Sequence, residues 1–182
     1  DCVQIRTRLR AQIQITIAPT VVPVIELCRC RTVVHELMVV LRCTQKLLVR
    51  LKQVGDRSPD ESTTRLGDWY GNILRLGRRQ HLLFISERSR LPVVLPITET
   101  KRLGTVFPAA VCERLAIVGV AAADIADERM RMSELAFGRT RNRSLLGTLN
   151  DFAFMAQSGD ARRTEPESPE ELMRFLSQTP IL

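Results

Sequence analysis

HLLFISERSRLPVVLPI, residues 81–97, is the stretch that decides the fold. Residues 81–87 are an apolar run of strand length, bounded by polar residues and apolar enough to lie centrally in a sheet. Arg88-Ser89-Arg90 turns the chain, and residues 91–97 return as a second apolar run. Pro92 and Pro96 cannot donate to a hydrogen-bond ladder, which confines that second run to an edge. A turn this short makes the two runs antiparallel neighbours. Just upstream, DWYGNILRL (68–76) fits helix or strand by pattern and favours strand, with Gly77-Arg78-Arg79 turning it into residue 81.

Outward from this meander, VVLRCT (39–44) reads as a strand. Thr44 is placed to cap a helix over 45–53, where Leu47, Leu48 and Leu51 share a face. Residues 55–64 have the Gly, Pro, Ser and Asp content of a loop. Downstream, Pro108 reads as the opening of a helix that Gly119 ends. Residues 121–132 form a further helix, with Asp124 near its start and Arg129 and Arg131 near its end, as the helix dipole prefers. ELAFGRT (134–140) is a strand or an extended lead-in. Strands lie mostly first and helices later, which predicts an α+β fold: a small, mostly antiparallel sheet covered by several helices.

The last helix is expected over 142–157, with Asn142 as its cap. Leu145, Leu146, Leu149, Phe152, Ala153 and Ala156 fall on one arc. The opposite arc carries Arg143, Ser144, Gly147, Thr148, Asn150 and Asp151. Phe154 and Met155 fall on that polar arc too, which predicts that its last turn is covered. Gly147 disfavours a helix interior, so a close backbone approach is expected there. Asn150 and Asp151 are expected to bond to neighbouring protein groups, or to line a pocket with Arg143.

Composition divides the 182 residues into three parts. Residues 1–37 hold the strand-like AQIQITIAP and TVVPVIELC, and lack a signal-peptide layout. They read as an extra N-terminal segment: either upstream sequence read through in frame or a misjudged gene start before Met38, or else a genuine extra hairpin. Residues 38–157 read as a single α+β domain. Residues 158–182 read as a polar linker, then a capping box at Ser168-Pro169-Glu170-Glu171 and a short helix through Leu172, Met173, Phe175 and Leu176. The formal charge is +7, from 27 Lys and Arg against 20 Asp and Glu. The middle part carries most of that excess, with nineteen basic against twelve acidic residues. An oppositely charged partner is therefore expected to meet the folded part.

The cysteines, Cys2, Cys28, Cys30, Cys43 and Cys112, are odd in number and form no regular framework, which fits free thiols in a reducing cytoplasm. Cys28, Cys30 and His35 lack the second pair that a zinc site needs, so no metal is expected. No apolar run reaches the ~18–20 residues of a membrane span.

Four ordered blocks carry a resemblance. MVVLRCTQKLLVRL (38–51), STTRLGDWYGNIL (62–74), LLFISERSRLPVVLPI (82–97) and RTRNRSLLGTLNDFAF (139–154) resemble an uncharacterised bacterial family, a domain of unknown function. Its members begin with Leu-Arg-Cys-Thr-x-Lys-Leu-Leu after a Met and continue through Gly-Asp-Trp-Tyr-x-Asn. A Ser-Glu-Arg-Thr segment precedes Leu-Pro-Val-Val, and Asn-Arg-Ser-x-Leu-Gly-Ser-Leu-Asn-Asp-Phe closes. Ser89 stands where Thr is usual, Thr148 stands where Ser is usual, and residues 1–37 precede the family's start. The closing block is also similar to the end of a plasmid-borne, transposon-associated family. The resemblance implies no agreed activity. From these blocks come the candidate binding residues Arg42, Lys46, Asp68, Trp69, Asn72, Glu87, Arg88, Asn142, Arg143, Ser144, Asn150 and Asp151.

The chemistry motifs for nucleotide binding, metalloproteases and serine hydrolases do not occur. His81, the sole histidine of the middle part, reads as a strand-end residue. Cys43 after Arg42 reads as a buried, inert thiol rather than an activated one. Trp69 and Tyr70 read as core anchors rather than base-stacking surfaces. Arg78, Arg79, Arg88, Arg90, Arg139, Arg141 and Arg143 are candidate anion contacts. Two readings follow. One is a non-enzymatic binding or accessory module with a basic face, meeting nucleic acid or a partner protein of a mobile element, without a cofactor. The other is a small metal-dependent hydrolase or nuclease using Asp68, Glu87 and Asp151 with Arg143. Acids gathered in one cleft would favour the second, and acids dispersed into separate Arg pairs the first.

Overall fold

A computed structural model describes residues 37–54 and 61–160, together with Glu171 and Met173. Residues 1–36, the tip of the 55–64 loop, and Ser168 to Glu170 of the capping box lie outside the described residues. The elements in chain order are β1 (Met38–Cys43), α1 (Gln45–Leu51), β2 (Trp69–Leu76), β3 (Arg79–Ser86) and β4 (Pro92–Pro96). A 3₁₀ turn (Ile97–Arg102) leads into α2 (Leu103–Ile117), then α3 (Ala122–Arg131), β5 (Glu134–Arg139) and α4 (Arg143–Asp160).

The strand order is β4-β3-β2-β1-β5. β2 and β3 pair antiparallel from Trp69 opposite Ser86 to Leu76 opposite Arg79, closed by Gly77 and Arg78 with Gly77 at φ 51°. β3 pairs antiparallel with β4, and the prolines of β4 do lie on an edge strand. The other two pairings are parallel: β1 with β2, and β1 with β5. The sheet is therefore mostly antiparallel, as expected, but mixed, because β1 joins both of its neighbours in parallel. Parallel neighbours need a crossover of a dozen or more residues. Residues 44–68 and 97–133 supply the two crossovers, each containing helix. Period and turn length reveal hairpins, but not which edge a strand joins after a long excursion.

Strand alternation sends side chains to two cores. On one face Val39, Leu41, Cys43, Trp69, Leu82, Phe84, Val93 and Leu95 pack with Leu47 and Leu48 of α1 and with Leu103, Phe107 and Val111 of α2. Phe107 meets Trp69 and Phe84 edge-on, at ring-centroid distances of 5.2 and 5.1 Å. On the other face Tyr70, Leu74, Leu83, Ile85 and Val94 pack with Leu145, Leu149, Phe152 and Ala156 of α4 and with Met173. Helices thus cover both faces of the sheet.

Several local expectations are corrected. Pro108 lies inside α2, which starts five residues earlier, at Leu103. Its ring removes one amide donor and crowds the carbonyl of Gly104, four residues earlier. α4 is capped as expected: Asn142 Oδ1 accepts from the amides of Ser144 (3.0 Å) and Leu145 (3.3 Å). It runs to Asp160, three residues into the stretch expected as linker from 158. Gly147 meets no other element, because nothing lies within 4 Å of a Cβ built there. Asn150 and Asp151 are exposed and make no hydrogen bond among the described residues, and Phe154 is 71% exposed rather than covered. Thr44 precedes α1 without capping it, since its hydroxyl donates to Asn72 Oδ1 at 2.9 Å. α1 closes on Lys52, whose amide reaches the carbonyls of Leu48 and Val49. Lys52 has φ 56°, a left-handed conformation that glycine adopts more readily.

The close approach lies instead at Gly71 of β2. A Cβ there would stand 2.5 Å from Phe84 Cε1 and 3.0 Å from Leu47 Cδ2. Gly71→Ala is expected to destabilise the protein by ~1–3 kcal/mol through overpacking. Gly147→Ala is expected to stabilise it by ~0.5–1 kcal/mol, since an exposed helix interior gains from alanine. Chemical denaturation of both variants checks the pair, and equal midpoints would refute the placement.

Candidate functional site

Where β1 ends and β2 begins, the sheet holds a buried charge. Arg42 on β1 stands opposite Tyr70 on β2 and Gly138 on β5. It is 5% exposed, and Asp68, just before β2, is 2% exposed. Arg42 Nε donates to Asp68 Oδ2 at 2.7 Å. Arg141 Nη2, from the segment between β5 and α4, reaches the same oxygen at 3.4 Å. The other oxygen, Oδ1, accepts from the Ser62 amide at 2.9 Å. Both carboxylate oxygens are therefore engaged, as a buried charge requires.

The loop before Asp68 is built to hold it there. Ser62 and Thr63 replace strand neighbours for β1: Ser62 Oγ accepts from the Val40 amide at 2.8 Å, and Thr63 Oγ1 from the Met38 amide at 2.9 Å. Thr64 Oγ1 donates to the Gly67 carbonyl at 2.8 Å, and Gly67 has φ 75°. The β3–β4 turn locks on from the other side. The Glu87 amide donates to the Asp68 carbonyl at 2.8 Å, Ser86 Oγ donates to the Leu66 carbonyl at 2.8 Å, and Arg88 Nη1 donates to the Arg65 carbonyl at 3.1 Å. Glu128 of α3 accepts the Arg65 and Leu66 amides.

Tyr70 adds a neutral group to this cluster. Its hydroxyl is buried and has no hydrogen-bond partner among the described residues. Burial pushes its pKa above the ordinary tyrosine value. The carboxylates of Glu87 and Asp68 raise it further, while Arg42 and Arg141 pull the other way. Cys43, one residue past Arg42, points to the opposite face, where burial pushes its thiol up to about 12. It is an inert thiol, as its apolar setting predicts.

The structure thus joins four of the candidate residues. Arg42 and Asp68 touch, Glu87 acts on the same phenol, and Arg88 braces the loop. Asn72 pairs with Thr44 nearby, and its Oδ1 also accepts the Ile73 amide at 2.8 Å. Trp69 is fully buried against Phe107, which closes it to stacking on a base. Asn142 serves as a helix cap, and Arg143, Ser144, Asn150 and Asp151 lie exposed on α4. Lys46 is exposed on α1. Sequence reading passed over Ser62, Thr63 and the Tyr70 hydroxyl. Their signal was two hydroxyl residues just before Gly-Asp-Trp-Tyr, where an unpaired strand edge needs donors and acceptors.

Removing one member of a buried pair leaves the other charge uncompensated. Asp68→Ala is expected to cost ~3–5 kcal/mol, whereas Arg141→Ala, at a half-exposed side chain, costs at most ~1 kcal/mol. Urea denaturation separates the two. Tyr70 is the single tyrosine of the chain, so its phenolate absorbance titrates alone. The native midpoint is expected above that of the denatured chain. Because the native value is raised, the associated stability is present below the denatured value and is lost as pH climbs through the native one. A native midpoint at or below the denatured one would refute the burial of this hydroxyl.

No curated protein and no solved structure matches the chain. The family model described as Domain of unknown function (DUF6933) matches residues 40–182, which takes in the buried Arg42–Asp68 pair, both helical layers and Met173. The chain belongs to that family of domains of unknown function.

Proposed function

We propose that this domain is a non-enzymatic binding or accessory module whose basic surface meets nucleic acid. The observation that carries the reading is the commitment of several of its acids, Asp68 above all, to arginines and amides, while Glu87 and Asp151 form no ion pair among the described residues. Asp68 is shared by Arg42 and Arg141, Asp124 and Asp127 pair with Arg65, and Asp127 also pairs with Arg131. Glu99 pairs with Arg102, and Glu128 accepts two backbone amides. Asp151 lies exposed on α4. Among the described residues, no group of three His, Cys, Asp or Glu side chains is placed to hold a metal ion.

The cations are distributed differently. Lys46, Arg50, Lys52, Arg78, Arg79, Lys101 and Arg143 are exposed and form no ion pair among the described residues. Exposed, uncompensated cations attract polyanions and speed their association. The likeness of residues 139–154 to the end of a transposon-associated family supports a setting beside nucleic acid. No helix among the described residues is long and apolar enough to cross a membrane.

Fluorescence anisotropy with labelled single- and double-stranded oligonucleotides tests the proposal. Binding is expected near ~50 mM salt, weakening by ten-fold or more at ~200 mM as neutralised phosphates regain their counterions. No binding at the lower salt would overturn it. Cleavage of the oligonucleotide on adding Mg²⁺, lost in Asp151→Asn or Arg143→Ala, would move the assignment to the metal-dependent nuclease.

A further inference from the structure

Between the end of α1 and the 3₁₀ turn lies an open depression of about 310 Å³, lined by Arg50, Leu51, Lys52, Thr100 and Lys101. Three of its five lining residues are cations and none is acidic. Arg50, Lys52 and Lys101 are exposed, and their side chains make no ion pair or hydrogen bond among the described residues. Glu99, the nearest acid in sequence, turns to Arg102 at 3.9 Å. Lys46 lies one turn before Arg50 on the same helix, and α1 has no acid in its first turn. Like charges four apart on a helix repel. An anion entering the depression would relieve that repulsion.

A cation near the end of a helix is ordinary, because the dipole favours it there. That accounts for Arg50 and for Lys101. It does not account for Lys52, whose left-handed backbone is one that glycine occupies at less cost. Holding a lysine in that conformation has a reason if its ammonium serves the depression. Thr100 supplies a neutral hydroxyl donor, and an arginine fork matches the paired oxygens of a phosphate.

We infer that this depression seats the phosphodiester backbone of a nucleic acid, its three cations serving successive phosphates along one strand. The inference rests on the binding function proposed above and gives it a place.

Amide chemical shifts of the ¹⁵N-labelled chain, titrated with a single-stranded oligothymidylate and separately with inorganic phosphate at constant ionic strength, test it. Both probes are expected to move Arg50 to Gln53 and Thr100 to Arg102. Lys52→Gly is expected to melt higher than the parent and to bind the oligonucleotide several-fold more weakly. A purely structural lysine would give the first effect without the second. Lys101→Ala is expected to reduce the slope of log affinity against log salt by about 0.7, one single-strand phosphate contact. Oligonucleotide binding whose shifts fall elsewhere overturns the seat and leaves the binding function standing. Phosphate binding here without oligonucleotide binding overturns the backbone assignment and the proposed function together. Binding to phosphatidylcholine–phosphatidylserine vesicles in place of the oligonucleotide overturns both in favour of a membrane surface.

Discussion

The pairing of Arg42 with Asp68 is the constraint on which the architecture rests. β1 lies between two parallel neighbours, so its backbone is buried on both sides, and strands so placed are normally apolar throughout. Arg42 breaks that rule near the end of β1, where it is flanked by strands on both sides. A lone guanidinium there would be prohibitively costly to bury, so a carboxylate must reach it at a fixed place. Asp68 can do so only if the chain arrives from the long crossover at the correct height, one residue before β2. Ser62, Thr63, Thr64 and Gly67 set that height through hydrogen bonds and a left-handed turn. The ion pair therefore sets the register between β1 and β2, and through Glu87 and Arg141 it also fixes the β3–β4 turn and the approach to α4.

This explains what the recognisable sequence blocks have in common. Leu-Arg-Cys-Thr, Ser-Thr-Thr-x-x-Gly-Asp-Trp-Tyr, Ser-Glu-Arg-Ser and the Arg-Thr-Arg before α4 are distant along the chain, yet they converge on one residue, Asp68, three through its carboxylate and Ser-Glu-Arg-Ser through its backbone carbonyl. Residues that stand apart in sequence are here joined by hydrogen bonds and charge into one cluster. The surplus cations lie elsewhere, on surfaces where nothing in the described fold uses their charge.

Much of the framework was legible from the residues. The β2–β3–β4 meander followed from apolar runs separated by two- and three-residue turns, and the edge position of β4 followed from Pro92 and Pro96. Asn142 as a cap and the Leu145, Leu149, Phe152 stripe followed from side-chain chemistry and helical period. The parallel placement of β5 was not legible, because strand alternation is the same whichever neighbour a strand takes. Pro108 misled, because proline favours a first turn, and no local pattern shows that the 3₁₀ turn before it already leads into the helix from Leu103. Gly147 and Gly71 were indistinguishable in sequence, since only the fold shows which of them has a phenylalanine ring against it. Arg50, Lys52 and Lys101 come together across fifty residues of chain, a proximity that no local pattern records.

The adjacency of Trp69 and Tyr70 has a further consequence. They are the sole indole and the sole phenol of the chain, and successive residues on a strand face opposite ways. Trp69 is embedded with α1 and α2, and Tyr70 with α4. Nature has thus placed one chromophore in each hydrophobic layer, a single peptide bond apart. Their optical signals resolve the melting of one layer from that of the other without any label. Coincident traces would mean that the sheet transmits the loss of either layer to the whole, and separated traces would mean that the protein comes apart leaf by leaf.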